Sequence, residues 1–194
     1  IGQAQEYVGS NNINVLLPNG QFGTRLEGGK DHASERYIFT QLNPITEFVF
    51  QKSDEPILNH LDDDGTLVEP DFYLPIIPMI LVNGGKGIGT GFSYEGLSYN
   101  VNQIINYLKH KLNGKTNLGI IEPYYEGFTG DIIKLNTHKF LIKGKYQIVS
   151  HDTIKVTELP IGTWTSPWKA FLETLMDDKA AAKKNKKPLV KHYV

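Results

Sequence analysis

Cysteine is absent from this 194-residue sequence, and that gap alone removes disulfides, thiolate nucleophiles and every cysteine-based zinc site. It also suits a reducing compartment. Long apolar runs are missing as well. The longest, Leu74 to Val82, is broken by Pro75 and Pro78 and falls far short of the roughly 20 residues a spanning helix needs. No apolar leader-like stretch occurs, so we expect an intracellular protein with no membrane partner. Charge of one sign is not in excess either: 20 Lys plus Arg stand against 21 Asp plus Glu, a net charge of -1. A protein of this balance carries no global field for a polyanion, so any nucleic-acid surface must be local.

Such a local surface is present. Arg25, Lys30, His32 and Arg36 gather in one segment, and the same segment runs Gly28-Gly29-Lys30-Asp31-His32-Ala33-Ser34-Glu35-Arg36-Tyr37-Ile38-Phe39-Thr40. A phenol with an ordinary pKa of about 10 is a poor nucleophile at neutral pH. A tyrosine that attacks a phosphodiester therefore needs a cation to steady both the phenolate and the charge that builds on phosphorus. Arg36 stands next to Tyr37, and a guanidinium fork can hold two phosphate oxygens at once. Adjacent Arg and Tyr are common on ordinary strands, so the pair gains meaning only from its surroundings.

Periodicity gives the coarse organisation of the chain around it. Gln3 to Val8 reads as a helix tail, Asn12 to Leu17 as a short strand before a Pro-Asn-Gly turn, and Arg36 to Leu42 as a second strand with Tyr37 and Phe39 on one face. Residues 51 to 72 are acidic and turn-rich. Asp62-Asp63-Asp64-Gly65 lacks the spacing of a calcium loop, since Leu67 occupies the sixth position, and reads as a solvated loop. The glycine-rich stretch Asn83 to Gly91 is no phosphate-cradling loop, because Lys86 is followed by Gly rather than Ser or Thr.

Asn100 is placed to cap an amphipathic helix whose stripe is Val101, Ile104, Ile105, Leu108 and Leu112, with Gly114 just past its end. Four strand patterns follow, 131–135, 139–143, 146–150 and 153–159, which predict an antiparallel sheet. A last helix is expected from a Ser166 cap with Pro167 at its first position to about Met176, its Trp164 and Trp168 serving as packing anchors. The run Lys183, Lys184, Lys186 and Lys187 reads as a solvated segment. His32, His60, His110, His138, His151 and His192 show no metal-ligand spacing, and none is assigned catalysis.

Several ordered words then resemble the breakage-reunion core of type IIA DNA topoisomerases, most closely the eukaryotic and viral topoisomerase II branch. They are Val8-Gly9-Ser10-Asn11-Asn12, Leu17 to Arg25, Gly29-Lys30-Asp31, Arg36 to Thr40, Val68-Glu69-Pro70, Tyr73 to Gly84, Gly87 to Gly91 and Thr157-Glu158-Leu159-Pro160. The matches cover nearly the whole chain. Glu35 departs from the family's usual Pro or Ala, and Gly85-Lys86 from its usual Ala-Glu.

The resemblance implies an α+β fold: residues 1–72 as the C-terminal part of a winged-helix DNA-cleavage domain, and 73–194 as an incomplete tower domain with a mainly antiparallel sheet, packed helices and the glycine loop. It implies that Tyr37 bonds covalently to a DNA 5′ phosphate, with Arg36 as the stabilising cation and Arg25, Lys30, His32 and Lys86 as DNA contacts. Ile88, between Gly87 and Gly89, is by resemblance a wedge that inserts between base pairs; as a residue pattern it reads equally as a buried loop anchor. Magnesium and ATP are implied cofactors whose sites lie outside this sequence, double-stranded DNA is the implied substrate, and a homodimer the implied assembly. The setting would be the nucleus for a cellular protein, and host cytoplasm or viral factory for a viral one. The absence of an initiator Met at Ile1 fits a portion of a larger protein. The competing readings are a non-catalytic winged-helix module that binds DNA architecturally, and a scaffold unrelated to DNA.

Overall fold

The computed structural model describes residues 1–137, 139–176 and 188–194. His138 and the lysine run at 183–187 lie outside the described residues. The elements follow in chain order. A 3-10 turn at Gly2–Ala4 replaces the expected helix tail; β1 is Leu16–Asn19, and β2 is Phe39–Leu42 after a 3-10 turn at Glu35–Tyr37. Then come α1 (Thr46–Val49), β3 (His60–Asp63), β4 (Thr66–Pro70), α2 (Met79–Val82), β5 (Gly85–Gly89), β6 (Phe92–Gly96) and α3 (Val101–Leu112). β7 (Asp131–Asn136), β8 (Lys139–Lys143), β9 (Lys145–Ser150), β10 (Thr153–Glu158) and α4 (Thr165–Met176) complete the series.

The architecture is α+β, as the sequence predicts. Among the described residues the strands form five separate antiparallel pairs, β1-β2, β3-β4, β5-β6, β7-β8 and β9-β10, rather than one sheet. Two of these pairs correct the sequence reading. Asp62 to Gly65 is the tip of the β3-β4 hairpin, in which Asp64 and Gly65 both take positive φ, 52° and 86°, as a two-residue turn of matching twist requires. The Gly65 N–H donates to Asp62 Oδ1 at 2.6 Å. The glycine stretch at 85–89 is likewise a strand, paired with 92–96 in the register Lys86↔Glu95, Ile88↔Ser93 and Gly89↔Phe92. Backbone pairing with β6 overrides the low strand propensity of glycine there.

The α3 cap is as expected: Asn100 Oδ1 accepts from Asn102 N–H at 2.9 Å and Gln103 N–H at 3.3 Å. Its stripe reaches the core through Ile104, which packs with Ile77 and Val82 and draws in Ile13, Tyr99, Val101, Ile105 and Leu108. Leu112 stays exposed. α4 starts two residues earlier than expected, at Thr165, so Ser166 lies inside its first turn and is not the cap. Its first amides are satisfied from outside the helix, Thr165 N–H by Arg25 O at 3.4 Å and Ser166 N–H by Leu26 O at 3.0 Å. Trp164 stacks edge-on with Tyr7, 5.7 Å between centroids, so it is a packing anchor as expected.

Two polar joints tie distant stretches of the chain together. In the first, Asn12 Nδ2 donates to the carbonyls of Val82 (2.9 Å), Tyr99 (3.2 Å) and Tyr124 (3.0 Å), and Asn12 Oδ1 accepts from Glu126 N–H at 2.8 Å. Beside it, Asn83 donates Nδ2 to Ile13 O at 2.8 Å and accepts Ile13 N–H on Oδ1 at 2.9 Å. These bonds, with the Ile13 packing, cross the 72/73 boundary. In the second, Arg25 Nη2 lies 2.5 Å from Glu158 Oε1 and donates to Leu159 O at 2.7 Å. The other carboxylate oxygen, Glu158 Oε2, accepts from Thr129 N–H at 3.1 Å and Thr129 Oγ1 at 2.7 Å. Glu158 is 7% exposed. Burial opposes its charge, but the hydrogen bonds from Thr129 and Arg25 outweigh that cost and hold the carboxyl below the ordinary range.

Asn12→Ala strands three carbonyls and an N–H at once. The expected loss is about 2 kcal/mol or more, a fall in Tm of roughly 4–8 °C for a chain of this size; an unchanged Tm in thermal melts would show that water replaces the carboxamide. The second joint predicts a pH effect. Because the folded-state value of Glu158 is depressed, its stabilisation is present above the unfolded carboxylate pKa of about 4.3 and is lost as pH falls through the folded value. Glu158→Gln is expected to lower Tm near neutrality and to flatten its decline on acidification. Melts at a series of pH values test this, and an acid slope identical to wild type would remove Glu158 as the source of the acid sensitivity.

Candidate functional site

β1 and β2 pair in the register Leu16↔Leu42, Leu17↔Gln41, Pro18↔Thr40 and Asn19↔Phe39. Tyr37 sits immediately before this ladder, not within it. The strand expected from Arg36 begins only at Phe39, because Tyr37 N–H donates to Ser34 O at 2.9 Å and Ile38 N–H to Glu35 O at 3.3 Å, closing a 3-10 turn. The turn lifts Tyr37 off the sheet, and its side chain is 67% exposed. The same turn folds Arg36 over the phenol, with its guanidinium carbon 5.0 Å from the ring centroid. That is cation–π distance, which places a permanent charge against the ring that would become a phenolate. Glu35 takes no part: among the described residues no carboxylate lies within ion-pair distance of Arg36.

The loop before the turn is held as a unit. Asp31 accepts from Thr24 N–H on Oδ1 at 2.9 Å and from Thr24 Oγ1 on Oδ2 at 2.5 Å. The Thr24 bonds hold the Asp31 carboxyl below its ordinary range. Gln5 Nε2 donates to Phe22 O at 2.9 Å and to Gly29 O at 3.2 Å, pinning both ends of the loop from below. Gly28, at φ 63°, lies flat against Trp164, and a Cβ there would run into the indole. Only glycine fits at that approach.

Within this frame the sequence-identified cations take different situations. Lys30 is exposed at the loop surface. His32 has Nδ1 2.8 Å from Ala33 O. A carbonyl can only accept, so Nδ1 carries the proton and the neutral ring leaves Nε2 an acceptor; only protonated His32 would donate to a phosphate. Arg25, expected as a phosphate clamp, has Nη2 already engaged by Glu158 and Leu159 O. The sequence reading missed Glu158 itself. Its signal, the Thr157-Glu158-Leu159-Pro160 word, had no assigned role until the fold brought it 133 positions back to Arg25.

On the β5-β6 hairpin, Ile88 is 83% exposed next to the Thr90-Gly91 turn, so it is not a buried anchor. Phe92 is comparably exposed across the turn, an apolar group the sequence reading did not single out. Lys86 sits opposite Glu95 with Nζ 3.9 Å from Oε1, both side chains in solvent, a contact of little energetic weight.

The DNA gyrase/topoisomerase IV family, in its A-subunit branch, matches residues 1–188. DNA topoisomerase 2 of Arabidopsis thaliana is 49% identical over 185 residues, covering 93% of this chain and 12% of that protein. DNA topoisomerase 2 of Pisum sativum is 46% identical over 194 residues, 100% of this chain and 13% of its own length. The solved DNA-binding, cleavage and re-ligation domain of Plasmodium falciparum topoisomerase II superposes with a TM-score of 0.91 at 42% identity, covering 100% of this chain and 25% of that one. This chain therefore spans about an eighth of the curated relatives it matches, and it belongs to the type II DNA topoisomerase family, within the region shared with DNA gyrase and topoisomerase IV.

Proposed function

We propose that this chain supplies the nucleophile with which a type II topoisomerase cleaves and reseals duplex DNA. The observation that carries the reading is the exposed Tyr37 phenol under the Arg36 guanidinium, with no carboxylate in ion-pair reach of that cation among the described residues. Tyr37 Oη attacks the phosphorus in line. The Oη–P bond forms, the P–O3′ bond breaks, the phenolic proton leaves Oη, and the departing 3′ oxygen takes up a proton. Attack by that 3′ hydroxyl on the 5′-phosphotyrosyl bond reverses the step, and the ester's energy is conserved throughout.

Arg36 steadies the phenolate and the charge on the non-bridging oxygens, the kind of preorganised electrostatic help whose removal costs roughly 2.7–4 kcal/mol in other enzymes. Lys30, Lys86 and, when its ring is protonated, His32 are phosphate-backbone contacts that position DNA without reading its sequence. Arg25 serves the site by fixing its loop to Glu158, with its remaining N–H groups free to reach phosphate. Residues 1–72 correspond on this reading to the winged-helix cleavage module and 73–194 to the tower.

Magnesium and ATP belong to the whole protein. Among the described residues no group of three or more His, Asp or Glu is disposed to hold a metal, so no step here is assigned to one. Severing both strands takes two tyrosines, hence a homodimer, whose transport of a second duplex through the gap would relax and decatenate DNA. In a cellular protein that substrate puts it in the nucleus.

Tyr37→Phe in the full-length protein removes one oxygen and almost no volume. Covalent protein–DNA adducts, trapped by denaturant, are expected to vanish while noncovalent affinity holds; normal adduct levels would overturn the assignment, and absent adducts in wild type would favour an architectural module. Ile88 supports a second prediction. A bare isoleucine at a hairpin tip is suited to enter a base step, where unstacking costs a few kcal/mol and the resulting bend recovers it by bringing more phosphate onto protein. Ile88→Ala is expected to leave stability and affinity unchanged and to reduce bending measured by fluorescence energy transfer; a full bend would discard the wedge.

A further inference from the structure

We propose that Asn83 is a positioning residue that fixes the distance between the DNA-bending hairpin and the cleaving tyrosine, and so selects which phosphate is cut. The inference rests on the reading of Tyr37 as nucleophile and Ile88 as wedge. Asn83 lies at the C-terminal end of α2, its N–H donating to Met79 O at 3.0 Å, and the β5-β6 hairpin starts two residues later. Between them Gly84 takes φ 67° so close to the returning strand that a Cβ would stand 2.6 Å from Gly96 O. The hairpin therefore leaves its base in one direction, without a side chain at Gly84 to pry the strands apart.

That base is bolted to the cleavage side of the molecule by the Asn83 side chain. Its two hydrogen bonds to Ile13, one to each backbone polar group, reproduce what a neighbouring β-strand would offer. From Ile13 the connection to the nucleophile is short and hydrogen-bonded at each stage. Asn14 O accepts from Asn43 Nδ2 at 2.9 Å, Asn43 N–H donates to Val15 O at 3.0 Å, and β1 then pairs with β2 up to Asn19↔Phe39, two residues from Tyr37. Asn12, alongside, holds Val82 O and makes the junction resistant to twist. Hydrophobic contact between Ile13 and the core is non-directional and tolerates sliding; the paired carboxamide bonds do not.

A DNA kink placed by Ile88 must fall a fixed number of nucleotides from the phosphate that Tyr37 attacks. Loosening Asn83 leaves wedge and nucleophile each intact but unregistered. In the full-length protein, Asn83→Ala is expected to bind and bend DNA as wild type does, to lose covalent adduct on the order of 10- to 100-fold as expected for misplaced reactants, and to spread the remaining cleavage over phosphates flanking the wild-type position. Gel mapping of end-labelled cleavage products on one defined duplex, with bending and Kd measured on the same duplex, reads all three. A structural role alone would lower Tm and total cleavage while leaving the cleavage map unchanged, and that result overturns the proposal, as does a wild-type rate and map. Should Asn83→Ala fail to bind DNA, Asn83→Asp, which keeps the acceptor facing Ile13 N–H, is read against the same two outcomes. A wild type without tyrosyl adducts would refute the underlying reading as well; a wild type that cleaves beside an Asn83 variant with an unaltered map refutes only this inference.

Discussion

One carboxamide, that of Asn12, serves four backbone groups drawn from three separate stretches of chain, and the relative placement of everything else depends on it. A single oxygen and two N–H hydrogens satisfy Val82, Tyr99, Tyr124 and Glu126, with the three carbonyl bonds shared between two protons. The fully buried apolar core is small, centred on Ile77, Val82 and Ile104. Such a core supplies cohesion and little orientation. Directional bonds from Asn12 and Asn83, and the Arg25–Glu158 pair with its Thr129 support, set angles and spacings that apolar packing leaves soft.

For the DNA-cleaving role proposed above, this division of labour suits a protein that would hold a rigid polymer. In that role the net charge of -1 would give no long-range pull toward DNA, and affinity would come from cations presented at chosen points. Presenting them requires stiff loops, and the 23–32 segment is stiffened without engaging Lys30 or Arg36: Asp31 on Thr24, Gln5 on two carbonyls, Gly28 against Trp164. Lys30 and the upper face of Arg36 are thereby left uncommitted. Arg25 is the exception, since part of its charge is consumed by a buried carboxylate. Its contribution is to location rather than to field.

Much of this was legible in the sequence where a local rule had no competitor. Asn100 capped its helix, the strand pairs between 131 and 158 fell where alternation put them, and the Arg36-Tyr37 pair proved to be in mutual contact. Failures occurred where one signal masked another. Glycine content hid the β5 strand, because backbone pairing needs no side chain, and acidity hid the Asp64-Gly65 hairpin turn. Tyr37 looked like a strand residue from alternation alone, yet two local backbone bonds hold it in a turn. Long-range polar joints left no trace in any window of sequence: Asn12 with Tyr124 spans 112 positions, and Arg25 with Leu159 spans 134.

The extent of exposed surface separates what this chain fixes by itself from what it shares. A compact chain of this mass would expose roughly 9,300 Å², whereas this one exposes 14487 Å². Large apolar groups contribute: Tyr146, Ile148, Ile154 and Val156 share one face of the β9-β10 pair, since Ile154 opposes Ile148 and Val156 opposes Tyr146. Two-stranded pairs are marginal in water by themselves. The apolar face of β9-β10 therefore adds little burial to hold its two strands together. Local geometry at Tyr37 and Asn83 is set by hydrogen bonds within this chain, whereas the outlying hairpins bury little apolar surface of their own. The polar joints therefore carry both stability and geometry, whereas the exposed apolar hairpin faces contribute little to either within the described residues.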